Sequence, residues 1–108
     1  MIVVVFKYLV PKGYRGLTIF PLVILKARNS KADAILLQHE RIHLRQQLEL
    51  LVLPFFIWYA IEFLLRWMVL RNRHQAYREI SFEREAYANE KDLHYLQQRS
   101  IWNFLNYF

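Results

Sequence analysis

An α+β fold, with N-terminal antiparallel edge strands packed on a mainly helical core, is predicted for this 108-residue chain by three observations. Ile2–Val10 opens on a β-branched run, and Leu17–Lys26 holds Thr18, Ile19, Val23 and Ile24, residues that suit a pleated, half-buried surface. From about Ser30 onward the apolar spacing is helical. Only 2 Gly and 3 Pro are present, which leaves little chain for linkers, so residues 1–108 read as a single domain.

Ile2–Val10 is read as a first strand and Pro11-Lys12-Gly13 as its turn. Leu17–Lys26 is a second strand, with Pro21 marking an edge or a bulge because proline cannot donate to a ladder. Ser30 and Asp33 resemble a capping box ahead of a helix. Leu37, Leu44, Leu48 and Leu51 form its apolar stripe, expected to face the core. Pro54 is expected to end or kink that helix. Phe55–Leu70 continues as an aromatic helix, Arg71–Gln75 as a polar connection, and Ser81 caps a helix to about Leu96. Ile101–Phe108 is an aromatic tail that needs a surface to order it.

His39-Glu40-Arg41-Ile42-His43 reads HExxH. Residues four apart on a helix sit about 40° from each other, so both imidazoles can reach one metal ion. Zinc suits nitrogen ligands and lowers the pKa of bound water to about 7. Glu40, next to the first histidine, is placed to take that water's proton without being a ligand.

A hydrolytic zinc site needs a third ligand and an open position. No third histidine follows His43 at a useful spacing, which turns attention to the carboxylates of Ser81–Glu90. Glu83 and Glu85 stand about 200° apart on a helix, so only one can face the histidines. Glu85 is preferred, because Ala88 permits close helix approach and Asn89 shares its face as a hydrogen-bond partner for a ligand histidine. Glu83 is the alternative.

HExxH followed by Glu85-Ala86-Tyr87-Ala88-Asn89 resembles the gluzincin group of zinc metallopeptidases, thermolysin-like enzymes among them. His39 through Gln47 also resembles small bacterial proteins carrying HExxHxxQQ. The resemblance covers roughly residues 17–90, and it departs at Asn89, where an aspartate is usual, and in the shortness of the chain. It implies a minimal zincin-like domain that hydrolyses peptide bonds. His39, His43 and Glu85 would hold zinc and Glu40 would act as general base. An oxyanion donor would come from among His74, Tyr77, Arg78 and Tyr87.

The absence of cysteine excludes disulfides and thiolate zinc sites. Net charge is +6, and residues 1–31 carry six basic side chains with no acid. These charges read first as a solvated fringe of the strands and next as attraction to an anionic membrane or acidic substrate, and no nucleic-acid partner is expected. A hydrophobic content of 56% predicts apolar surface left outside the core. The alternative to a peptidase is therefore a non-cleaving zinc protein, or a membrane-surface or protein-binding module using the basic third and the aromatic helix 55–70. That helix is interrupted by Glu62 and Arg66, and reads as buried or interfacial rather than spanning. No signal peptide is recognised at the N-terminus, so the expected location is cytoplasmic or membrane-associated.

Overall fold

The computed structural model describes all of residues 1–108. Three short strands, β1 (Ile2–Val5), β2 (Gly16–Ile19) and β3 (Leu22–Leu25), form a mixed sheet in the order β1-β3-β2. β3 is central, parallel to β1 and antiparallel to β2, so the expected all-antiparallel pairing holds for one pair only. Its central place explains why Val23, Ile24 and Leu25 are all buried. The predicted strand 17–26 is in fact a β-hairpin. Phe20-Pro21 makes its turn, because a residue without an N–H ends the ladder more readily than it continues it. β1 stops at Val5 and the chain enters a 3-10 turn at Lys7–Leu9 rather than extending to Val10.

Helix α1 (Ala34–Leu50) starts at Asp33, whose carboxylate accepts the Leu36 amide hydrogen at 3.1 Å. Ser30 is not the cap. Gln38, His39, Ile42, His43 and Gln46 make its buried face, a helical i, i+4 series of mostly polar side chains. The leucine stripe lies on the opposite side and none of it is buried: Leu37 and Leu44 are half-buried, Leu48 is 54% exposed, and Leu51, just past the helix end, is 70% exposed. The expectation that it packs into the core is thus overturned: the histidine face is the one covered, by β2 and by α4.

Leu51, at φ 62°, breaks α1 from α2 (Val52–Leu70). Pro54 therefore sits in the first turn of α2, where its missing N–H costs no hydrogen bond, and neither ends nor kinks α1. Residues 71–75 are not a plain connection: α3 (Arg73–Glu79) starts there, capped by Asn72. α4 (Ser81–Asn89) is shorter than expected, and Ser81 does not cap it with its own hydroxyl. Buried Glu62 of α2 instead accepts the Ser81 amide hydrogen at 2.9 Å, a carboxylate supplied to a helix N-terminus by another helix. A one-turn helix α5 (Tyr95–Gln98) and a 3-10 turn at Asn103–Tyr107 complete the chain. The tail finds its surface within the same molecule: Phe104 is fully buried against Phe55, Ile80 and Phe82.

Candidate metal centre

His39 and His43 project from one face of α1 toward α4, and Glu83 of α4 points back at them. Glu83 Oε1 lies 3.1 Å from His39 Nε2 and 3.0 Å from His43 Nε2, and the two nitrogens are 3.1 Å apart. All three residues are buried. Tetrahedral zinc with bonds of about 2.0–2.1 Å sets its ligand atoms about 3.3 Å apart, so a small outward adjustment accommodates the ion.

The neighbours fix which ring nitrogens are free. Gln46 Nε2 donates to the Phe82 carbonyl and to Glu85 Oε1, which sets the orientation of the amide. Its oxygen, 2.8 Å from His43 Nδ1, therefore accepts the Nδ1 hydrogen and leaves Nε2 as a bare lone pair. Glu90 Oε2, 2.7 Å from His39 Nδ1, does the same for the other ring. Tyr59 of α2 donates to Glu83 Oε2 at 2.7 Å, leaving Oε1 for the site. Three acceptors thus converge with no donor of their own. That arrangement calls for a cation or a proton. Burial opposes charge on His43, but the Glu83 carboxylate beside it prevails and raises its pKa to about 9. Burial likewise pushes the Glu83 carboxyl up, while His43 and His39 more than offset this and hold it below its ordinary value.

Glu85, the residue preferred from sequence, is not at this centre. Its carboxylate faces the other side of α4, where Arg99 Nε (2.5 Å) and Nη2 (3.0 Å), Tyr95 (2.5 Å) and Gln46 donate to it. The alternative, Glu83, stands with the two histidines instead. Asn89 does not touch a histidine either; it donates to the Glu85 carbonyl and to the Tyr107 hydroxyl, pinning the tail. The contacts expected of it are made by Glu90 and Gln46. Gln46 is foreshadowed by the HExxHxxQQ pattern, whereas Tyr59 carries no local signal.

Glu40 is buried beside the histidines and accepts a hydrogen bond from the Thr18 hydroxyl of β2. Gly16 lets β2 come this close: a Cβ there would lie 3.0 Å from Glu40 Oε1. Gln47 fastens the same strand, accepting from the Phe20 amide at 2.7 Å and donating to the Thr18 carbonyl at 2.7 Å. It occupies part of the strand edge as a paired strand would.

The centre lies where two cavities meet. One, of about 250 Å³, is mainly apolar and is lined by Leu17, Phe55, Phe56, Phe63 and Ile80 together with His39, Glu40, His43 and Glu83. The other, of about 200 Å³, is more polar and carries Arg15, His74, Tyr87 and Glu90. Tyr14 and Tyr77 border both, ring edge to ring face at 4.9 Å. Of the four oxyanion-donor candidates, Tyr77 is thus best placed. Its hydroxyl is 2.9 Å from that of Tyr87, and burial and then the Glu83 charge keep its pKa raised. Tyr87 packs its ring on His39 at 4.4 Å. Arg78 stacks on Tyr87 at 3.7 Å, and exposed His74 lines the polar cavity but not the apolar one. Comparisons with protein-family models, curated proteins and solved structures find no match to this chain.

Proposed function

We propose that this protein is a zinc-dependent hydrolase, a small metallopeptidase of gluzincin type with His39, His43 and Glu83 as the zinc ligands. The observation that carries the reading is the convergence of those three buried ligand atoms next to a fourth buried side chain, Glu40, at the meeting point of two cavities. The metal, when bound, supplies Lewis acidity and a lowered water pKa. Glu40 takes a proton from the attacking water and returns it to the leaving amine nitrogen. The Thr18 hydrogen bond holds the Glu40 carboxylate in place while this happens. Tyr77, protonated at neutral pH, donates to the developing oxyanion, with Tyr87 donating to Tyr77 in turn. The larger cavity suits an apolar side chain of the substrate, and the Gly16–Thr18 edge of β2 suits an extended peptide laid along it.

The test is Glu40→Gln, assayed with the zinc-loaded protein on a peptide library. Gln is nearly isosteric, so zinc content should be unchanged and cleavage lost by about 100-fold or more. Cleavage that survives the substitution, or that persists after chelation, contradicts the reading.

A further inference from the structure

We infer that the outward face of α2 docks on an anionic lipid bilayer, with the helix lying in the plane of the interface. This inference is independent of the metal reading. Leu53, Ile57, Ile61, Leu64 and Met68 recur every three or four residues along α2, and each is more than half exposed. They form one apolar stripe on a helix of 19 residues, about 28 Å long at 1.5 Å per residue. Soluble surfaces seldom carry so continuous an apolar strip without a partner.

The charges around the strip identify that partner. The one acid of α2, Glu62, is buried and committed to Ser81, so no anion interrupts the face. At its C-terminal end Arg66, Arg71, Arg73 and Arg78 outnumber the nearby Glu79. Across the apolar cavity, exposed Tyr8 and Leu9 form a turn flanked by Lys7 and Lys12, within a stretch free of acids. Pro11 of that segment lines the same cavity as Phe56 and Phe63 of α2, so this second apolar-and-basic element adjoins the helix. An apolar strip fringed by cations matches an anionic bilayer, which offers hydrocarbon to the strip and phosphate to its rim. A second copy of the chain would bring further cations to that rim. The opposite face of α2 is occupied by Phe55, Tyr59 and Glu62, which pack into the domain; an in-plane helix keeps those contacts and a spanning one does not.

The experiment is flotation of the full chain with phosphatidylcholine vesicles that contain or lack phosphatidylglycerol. It is run at low and high salt, beside the Ile57→Glu/Leu64→Glu double variant. Both positions are exposed, so the variant should keep the wild-type circular dichroism and zinc content. The wild type should float with the anionic vesicles, be released by high salt and stay behind with neutral ones, while the double variant stays in solution throughout. Four results would overturn the inference: no flotation of the wild type, equal flotation of the variant, resistance to alkaline extraction as for a spanning helix, or a vesicle-indifferent dimer that the double variant dissociates.

Discussion

Arg99 shows how one side chain can decide the role of a carboxylate 14 residues away. Its guanidinium is fully buried between Glu85 and Glu49, at 2.5 and 2.7 Å. Burial pushes the Glu85 carboxyl up, but Arg99, Tyr95 and Gln46 hold it below its ordinary value. A carboxyl whose folded pKa is lowered contributes stability above its unfolded value, about 4.5, and that contribution is lost as pH falls further. Arg99→Met should cost about 3–5 kcal/mol at neutral pH, because it strands buried acids. Without Arg99 the Glu85 carboxyl is held down less, so the gap between variant and wild type should narrow as the pH drops toward the folded value. Urea melts across that range check it, and a gap that widens toward acid would refute the assignment. From sequence, Glu83 and Glu85 could be told apart only by the phase of α4 against α1, and the nearest small residues misled. Ala88, which favoured Glu85, is exposed, whereas Ala86, three residues after Glu83, is fully buried. The partner that removes Glu85 from contention lies beyond the end of α4, outside any local pattern.

Element boundaries follow from backbone chemistry that the sequence carries unevenly. The HExxH helix was readable because its signal is local: two histidines one turn apart, begun by Asp33. The break between α1 and α2 was not, because it falls on Leu51, at φ 62° and ψ 149°, and nothing about a leucine announces a positive φ. Pro54, the visible signal, only marks the first turn of the helix that follows. Leu51 is largely exposed and gives up little packing if truncated. Leu51→Gly should therefore stabilise the protein by about 1 kcal/mol, since strain of this kind costs about 1–3 kcal/mol and glycine's entropy takes back part of the gain. A lower melting temperature for Leu51→Gly would mean that the Leu51 side chain contributes more than its backbone costs. α2 shows the converse limit. Its composition, interrupted by Glu62 and Arg66, fits a buried and an interfacial helix better than a span, and the exposure of Leu53, Ile57, Ile61, Leu64 and Met68 separates the first two.

At the scale of the whole molecule, β2, α1, α2 and α4 each send one or more side chains to a single point. β2 brings Thr18 and Gly16 to Glu40, α1 brings His39 and His43, α2 brings Tyr59, and α4 brings Glu83. The α1 contribution was visible in five consecutive residues. The others are long-range, 22 to 44 positions away along the chain, and depend on a sheet order and helix phase that spacing does not encode. The fold class itself was legible, because strand-forming and helix-forming residues are segregated along the chain. The most direct measurement is zinc content by mass spectrometry, with X-ray absorption of the bound ion, on the wild type and on Glu83→Ala and Glu85→Ala. The account predicts about one zinc per wild-type chain, with two nitrogen ligands and the remainder oxygen. Glu83→Ala should lose affinity by orders of magnitude, and Glu85→Ala by at most about 10–100-fold through Gln46 and His43. A wild type that binds no zinc, or a Glu83→Ala variant that holds it as tightly as the wild type, would contradict the account.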